Sequence, residues 1–228
     1  MYRDKSFIGI VPARAGSKGI PNKNIINING KPLIQYTIEE AKTSMYLDEI
    51  LVSTDSHKIA EISKKCGANV PFLRPVELAD DTAKTIDVII HALEELNCLG
   101  KSYDYIVLLQ PTQPLRKGWH IDDAIKKIID DKHDDLVSVS EVSEHPILFR
   151  TIDQTGRLHN LLNVESTVRR QEFTKYYKVN GAIYINNIRK LSSNTSLNDN
   201  TLAYIMDKEY DLDIDEPNDI ELLKINTK

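Results

Sequence analysis

The segment 10–24 concentrates residue types that could bind a chain of phosphates. It carries two glycines and three cations: Gly16, Gly19, Arg14, Lys18 and Lys23. Glycines let backbone amides approach a phosphate closely, and the cations supply the opposing charge. The segment matches neither G-x-x-x-x-G-K-[ST] nor G-x-G-x-x-G, which excludes an ATPase P-loop and a dinucleotide fingerprint. We expect polyphosphate binding here; the alternative is a solvated connection whose cations face water.

A pair of carboxylates late in the chain has the spacing of a cation site. Asp213 and Asp215 are separated by one residue, so on an extended segment both side chains point to the same side. Two such carboxylates could hold one Mg²⁺ ion. The alternative is an acidic surface run in which Asp215 is the N-cap of the following helix. Spacing alone favours neither interpretation.

Gln110 and a second basic cluster are candidates for binding another polar ligand. Gln110 follows an apolar run, and a side chain at the carboxyl end of a strand faces the ligand crevice of an open α/β sheet. It could instead cap neighbouring backbone. The basic cluster consists of Arg169, Arg170, Lys175 and Lys178. Arginine suits a carboxylate ligand, whereas the two lysines could simply protect a strand edge.

The elements that must position these residues follow an alternating pattern through the first 140 residues. Predicted strands are 7–11, 49–54, 105–109 and 136–140, and predicted helices are 32–42, 57–66, 85–96 and 118–130. This alternation is typical of an α/β protein with a parallel sheet covered by helices. Two further strands, 178–185 and 201–206, and a last helix from Pro217 follow.

The pattern changes between about residues 141 and 178. Segments 147–152 and 157–162 flank Asp153-Gln154-Thr155-Gly156, which has the chemistry of a hairpin turn. No linker long enough to separate two units is present. We therefore predict a single domain over residues 1–228 with an inserted antiparallel arm.

Composition excludes several classes of protein. The chain has 29 Lys and Arg against 34 Asp and Glu, a net charge of −5, which argues against binding nucleic acid or a membrane surface as its main role. No apolar stretch reaches the roughly 20 residues of a membrane span. The early apolar run lacks the flanks of a secretory signal. Two cysteines are too few for a disulfide framework, which favours a cytoplasmic location.

Residues 12–24 are similar to the opening signature of the CMP-sialic acid synthetases, P-A-R-x-G-S-K-x-(I/L)-x-x-K-N. Further motifs of that family follow in order at 52–55, 74–75, 81–82, 91–93, 108–116, 170–171, 180–184 and 213–215. Their order over nearly the whole chain makes the joint match far more specific than any single motif. The sequence thus resembles the CMP-sialic acid synthetase (acylneuraminate cytidylyltransferase) family.

The resemblance implies a fold, a reaction and an assembly. The fold is Rossmann-like, of the nucleotide-diphosphosugar transferase type, with a parallel-rich central sheet and an arm that forms a homodimer. The reaction transfers CMP from CTP to the anomeric hydroxyl of N-acetylneuraminic acid, a nine-carbon keto-acid sugar, with Mg²⁺. Alternatives are another keto acid (legionaminic, pseudaminic or eight-carbon) or a catalytically silent sugar-nucleotide binding protein.

The resemblance also assigns roles to individual residues. Arg14, Lys23 and Asp215 are expected to be catalytic, and Asp213 and Asp215 to bind Mg²⁺. The expected nucleotide-binding residues are Ala13, Arg14, Gly16, Ser17, Lys18, Lys23, Asn24 and Thr85. The expected sugar-binding residues are Gln110, Arg170, Asn180 and Tyr184.

Some of these assignments have alternatives, and the sequence departs from the family at two positions. Thr85 could also be a helix N-cap, and Tyr184 could be a core aromatic. Gln113 stands where serine is usual. Arg150 lies near the position where some relatives carry a lysine.

Overall fold

The computed structural model describes residues 1–16, 19–162 and 174–227. Its strands are β1 (Phe7–Pro12), β2 (Asn27–Ile28), β3 (Lys31–Pro32), β4 (Glu49–Ser53), β5 (Tyr105–Leu108), β6 (Asp135–Glu141), β7 (Arg150–Ile152), β8 (Leu158–Asn160), β9 (Tyr177–Asn187) and β10 (Leu202–Ile205). Its helices are α1 (Leu33–Thr43), α2 (His57–Lys65), α3 (Thr85–Cys98), α4 (Gly118–Asp130) and α5 (Pro217–Asn226). No helix within these ranges is long and apolar enough to cross a bilayer.

Six of the strands form one mixed sheet in the order β10-β6-β9-β5-β1-β4. β1 is parallel to both β4 and β5, and β10 is parallel to β6. β9 runs antiparallel between β5 and β6. The predicted parallel-rich sheet is confirmed, and β9 joins its two parallel parts.

Helices cover both faces of this sheet. One face buries side chains from β1, α1 and α4: Phe7, Val11, Ile34, Ile38, Ile121 and Ile125. The other face buries side chains from β1, α3 and β5: Ile8, Ile10, Ile89, Leu96, Ile106 and Leu108. Successive residues of a strand point to opposite faces, so the continuous apolar run of β1 fills both layers.

A smaller apolar cluster positions the two late aspartates. Ile214 is fully buried between α1 and α5, and its N–H donates to the Thr112 carbonyl at 2.9 Å. Because Ile214 points inward, its neighbours Asp213 and Asp215 point outward on the same side. This segment therefore lies against the loop that follows β5.

Helix α5 begins with a capping box that does not use the carboxylate of Asp215. Glu216 is the N-cap residue. Asp219 Oδ2 accepts the N–H groups of Asp215 at 2.9 Å and Glu216 at 2.7 Å. The interpretation of Asp215 as the N-cap is therefore wrong, because the neighbouring residue fills that position.

The predicted arm leaves the sheet where Glu141 of β6 pairs with Tyr177 of β9. Within it, β7 and β8 form an antiparallel hairpin. Asp153 closes its turn, since Oδ1 accepts the N–H groups of Thr155 at 2.8 Å and Arg157 at 3.1 Å. The hairpin prediction is confirmed.

Replacing the fully buried Ile106 of β5 by Ala is expected to reduce the free energy of unfolding by about 2–5 kcal/mol, because the lost methylene groups leave a cavity. The matched control is Ile205→Ala on the edge strand β10, where the side chain is largely exposed and the cost is about 1 kcal/mol or less. Urea denaturation measures both. Equal losses would contradict the described layering.

Candidate functional site

A cleft of about 450 Å³ opens at the carboxyl ends of β1 and β5. We call it the first cleft. The residues on its wall that matter here are Arg14, Lys23, Arg74, Asp81, Gln110 and Asp215. Strands that run parallel end at the same edge of the sheet, so loops distant in sequence meet there. The structure thus brings together the predicted polyphosphate segment, Gln110 and Asp215.

Arg14 lies across the mouth of the first cleft. Its Nη1 donates to the carbonyl of Asp80 at 2.6 Å, and its Nη2 donates to Asp81 Oδ1 at 2.6 Å. Asp80 Oδ1 in turn accepts the hydroxyl of Thr82 and the N–H groups of Thr82 and Ala83. These hydrogen bonds hold the pKa of the Asp80 carboxyl below its usual range. Arg14 therefore joins the 13–16 loop to the turn at 79–83.

Lys23 connects the same loop to the carboxylate segment. Its Nζ donates to Asp215 Oδ1 at 2.9 Å and to the carbonyl of Ile214 at 2.8 Å. The Asp215 side chain is 71% exposed and faces the cleft. A Cβ atom on Gly19 would lie 2.7 Å from the Asp215 carbonyl oxygen, so only glycine fits there. The cation and the carboxylates are thus fixed beside one another.

Asp213 and Asp215 supply the type of ligand that Mg²⁺ prefers. Loss of surrounding solvent raises the pKa of the Asp213 carboxyl above its usual range, and the nearby charge of Asp215 raises it further, although a hydrogen bond with Thr112 opposes this. Within the described ranges, no cluster of three or more His, Cys, Asp or Glu could hold a metal ion. Mg²⁺ commonly binds one or two carboxylates and takes its other ligands from phosphates and water. Asp213 and Asp215 fit that donor set.

Arg74 is a wall residue that the sequence interpretation did not assign. Its side chain is 4% exposed, and its Nε and Nη2 have no hydrogen-bond partner in the described part of the chain. Asp55 Oδ1 lies 3.9 Å from Nη2 and accepts the N–H of Ala15 at 2.9 Å. Burial lowers the pKa of the Arg74 guanidinium. The Arg74-Pro75 motif was the sequence signal that could have assigned it to the site, because periodicity alone cannot show that a cation is buried.

A second cleft, of about 500 Å³, shares Thr85 and Gln110 with the first. Its other wall carries Tyr184 and the hydroxyl and amide side chains of 193–198. Tyr184 Oη donates to Asn198 Oδ1 at 2.9 Å. Burial raises the pKa of Tyr184, so its hydroxyl stays neutral. Thr85 and Gln110 therefore stand at the junction of two polar clefts.

Three of the residues expected to bind ligand make contacts with other parts of the protein. Asn180 is buried within the sheet and is not part of the wall of either cleft. Ala13 is buried, and its N–H donates to the Ser53 carbonyl at 2.9 Å. Asn24 lines the first cleft, but its Nδ2 donates to the carbonyl of Arg14 at 2.9 Å. The hydrogen bonds of Ala13 and Asn24 therefore position the loop that follows β1.

Of the remaining expected residues, one is exposed, one already forms hydrogen bonds within the arm, and three lie outside the described ranges. Gly16 is exposed, with open space around it. Arg150, the possible substitute for a lysine, donates to the carbonyls of Ile147 at 2.6 Å and Phe149 at 2.8 Å within its own arm. The predicted site residues Ser17, Lys18 and Arg170 lie outside the described residues.

Comparison with known proteins agrees with this geometry. A model of the cytidylyltransferase family matches residues 8–224. The chain is 40% identical over 218 residues to an N-acylneuraminate cytidylyltransferase of Streptococcus agalactiae, covering 93% of this chain and 51% of that protein. It is 34% identical over 218 residues to a pseudaminic acid cytidylyltransferase of Campylobacter jejuni, covering 95% of this chain and 94% of that protein.

Solved structures share the fold at low sequence identity. A CMP:2-keto-3-deoxy-manno-octonic acid synthetase superimposes with a TM-score of 0.73 at 17% identity, covering 96% of this chain and 97% of the other. The chain spans about half the length of the Streptococcus agalactiae relative and nearly all of the Campylobacter jejuni one. From the family match over residues 8–224 and the full-length relative, the chain belongs to the cytidylyltransferase family.

Proposed function

We propose that the protein transfers CMP from CTP to the anomeric hydroxyl of N-acetylneuraminic acid, giving CMP-sialic acid and pyrophosphate. The observation that carries this proposal is the first cleft, whose wall gathers Arg14, Lys23, Arg74 and the carboxylate of Asp215. A second, hydroxyl- and amide-lined cleft adjoins it. A polyanion and a polyhydroxylated acceptor could thus lie side by side.

The triphosphate would bind by exchanging partners with the site's own carboxylates. Arg14 now donates to Asp81, and Lys23 donates to Asp215. Phosphate oxygens offer each cation a stronger, multiply charged acceptor. The unused donors of Arg74 add a third contact without breaking an existing hydrogen bond. Thr85, at the shared edge of the two clefts, would border the nucleotide.

Asp213 and Asp215 would hold Mg²⁺ beside the phosphates. When bound, the ion supplies positive charge that neutralises the departing pyrophosphate. Arg14 and Lys23 add charge from the protein side. The sugar hydroxyl attacks the α-phosphorus and loses its proton to solvent, and the bond to pyrophosphate breaks in a cationic surrounding. The residues act chiefly by orientation and by charge.

The keto acid would occupy the second cleft, with Gln110 and Tyr184 as neutral hydrogen-bonding groups. Arg170 is proposed to bind the carboxylate of the sugar. Legionaminic or pseudaminic acid is the second candidate, because a CMP-N,N'-diacetyllegionaminic acid synthase of Legionella pneumophila is 38% identical over 190 residues. A panel of keto acids tested for CTP-dependent pyrophosphate release separates these substrates. A cytoplasmic location belongs to the same proposal, and Cys66 and Cys98 form no disulfide.

The active unit is proposed to be a homodimer formed through the arm. Ile152 and Leu158 pair across the β7–β8 hairpin, and both are mostly exposed. Leu148 and Phe149 add further exposed apolar surface. A two-stranded hairpin is marginal in water by itself, so a partner that covers this face would stabilise it.

Asp215→Asn is expected to lower kcat/KM by about 100-fold or more, because charge stabilisation is lost where charge develops. A chelator should abolish activity, and added Mg²⁺ should restore it. The matched control is Asp123→Asn, which removes an exposed carboxylate of α4 that forms a salt bridge with Lys126. Pyrophosphate release measures each reaction. Normal, magnesium-dependent turnover by Asp215→Asn would show that the assignment of the metal-binding carboxylates is wrong.

Asp213 is expected to reduce stability at neutral pH, because its carboxyl has a higher pKa in the folded protein than in the unfolded chain. The reduction is complete above the folded-state pKa and disappears as the pH falls towards the unfolded value. Asp213→Asn should therefore raise Tm at pH 7 in metal-free buffer, with a gain that vanishes on acidification. Asp199→Asn, on an exposed turn, is the control. A gain that persists in acid would contradict this cause.

Ile152→Glu is expected to convert the dimer to a monomer, since a charge would be buried at the contact. Thr151→Glu is the matched control, because Thr151 is the adjacent exposed residue on the opposite face of the hairpin. Sedimentation velocity measures the mass of each variant. A wild-type monomer with full activity would contradict the dimer proposal.

A further inference from the structure

Strand β9 contains an unusually wide bulge beside the junction of the two clefts. Val137 of β6 pairs with Tyr184, whereas Val139 pairs with Val179. The single residue Ser138 therefore faces four residues of β9. We call residues 180–183 the β9 bulge. Bulges re-aim side chains and are common next to functional sites.

Side chains of β6 hold one side of the β9 bulge. Ser138 Oγ donates to Asn180 Oδ1 at 2.5 Å and accepts the N–H of Ile183 at 2.7 Å. Asn180 Nδ2 donates to Ser140 Oγ at 2.9 Å. All four residues are buried, so these bonds are shielded from water. They replace the ladder hydrogen bonds that the bulge interrupts.

Arg116 holds the other side of the β9 bulge. Its Nη1 donates to the carbonyl of Ala182 at 2.6 Å and lies 3.4 Å from the carbonyl of Gln110. One guanidinium nitrogen therefore joins the bulge to the loop that follows β5. Within the described ranges, no other side chain donates hydrogen bonds to both carbonyls.

The burial of Arg116 reduces the stability of the folded protein. The residue is 1% exposed, forms no salt bridge within the described ranges, and its Nε and Nη2 have no hydrogen-bond partner there. Glu40 is the acidic group that affects it electrostatically, but Glu40 already accepts from Lys117 Nζ and Gly118 N–H. Burying a charge without an ionic partner destabilises the folded protein. A hydrophobic residue of similar size would avoid that cost, so stability does not account for arginine here.

The consequence of this connection is the placement of the Gln110 side chain. Gly181, inside the β9 bulge, has φ +76°, and a Cβ atom there would lie 2.5 Å from Gln110 Oε1. The Gln110 amide therefore rests directly on the bulge. Its backbone carbonyl lies within reach of the same guanidinium that binds the bulge. Both ends of Gln110 thus depend on Arg116.

We infer that Arg116 is a positioning residue that sets the Gln110 amide at the junction of the two clefts, and so orients the keto acid towards the nucleotide. The inference rests on the proposed function for its kinetic consequence. The placement of Gln110 itself does not depend on that function, because it concerns the free protein.

Steady-state kinetics test the consequence. Arg116→Met is expected to raise the KM for the keto acid about tenfold and to lower kcat, while the KM for CTP stays within about twofold, because Arg14, Lys23 and Arg74 are intact. Arg116→Lys keeps the charge and should recover part of the loss. In a Gln110→Ala background, Arg116→Met should have little further effect on the KM for the keto acid, because the side-chain amide that Arg116 positions is already absent. Full additivity of the two changes would overturn the inference.

A second readout needs no activity. The side-chain amide NMR signal of Gln110, identified by its absence from Gln110→Ala, should shift or broaden in Arg116→Met. An unchanged signal would overturn the inference. A shifted signal in a protein whose wild type shows no transfer from CTP to any keto acid would refute the proposed function and leave the positioning role intact.

Two further variants guard against a purely structural effect. Gly181→Ala displaces Gln110 with Arg116 in place, and it should reproduce the kinetic pattern even if Arg116→Met fails to fold. Asp122→Asn is the stability control, because Asp122 is buried and accepts from Ser44 Oγ and the N–H of Met45, away from both clefts. It should lower Tm and leave both KM values unchanged. A rise in the keto-acid KM with Asp122→Asn, or normal kinetics with Gly181→Ala, would contradict the inference.

Discussion

The burial of β1 between two parallel neighbours is the constraint on which the rest of the molecule depends. Its apolar side chains fill both layers of the core, and its pairings with β4 and β5 fix one common direction for all three strands. Their carboxyl ends must then meet at one edge of the sheet. The cationic segment after β1 and Gln110 after β5 become neighbours for this reason, although about a hundred residues of sequence lie between them.

Charge pairing is the second constraint, and it follows from that convergence. The cations of the first loop pair with carboxylates from distant segments. Arg14 donates to Asp81, and Lys23 donates to Asp215. These exposed or half-buried pairs are worth little individually to stability. In the proposed function, an anionic ligand and a cation would replace these internal partners together.

Local sequence patterns predicted the strands of the central sheet, the helices and the hairpin, because each depends on short-range periodicity or turn chemistry. The antiparallel position of β9 between β5 and β6 was not predictable in this way, since pairing partners are chosen by the whole sheet. The hydrogen bonds of Asn180 to Ser138 and Ser140 were not predictable either, because they depend on how β9 pairs with β6. Its role in sugar binding stays a prediction. Arg74 escaped assignment because its burial beside the cleft is a tertiary property.

The central claim is that the two clefts bring the α-phosphorus of CTP to the anomeric hydroxyl of a keto acid. Phosphorus NMR of a mixture of the protein, CTP, Mg²⁺ and N-acetylneuraminic acid tests it most directly. We expect the three CTP resonances to be replaced by one phosphodiester resonance and that of pyrophosphate, and nothing to change when the sugar is omitted. Conversion of CTP to CDP and phosphate, or pyrophosphate formation without a phosphodiester, would contradict it.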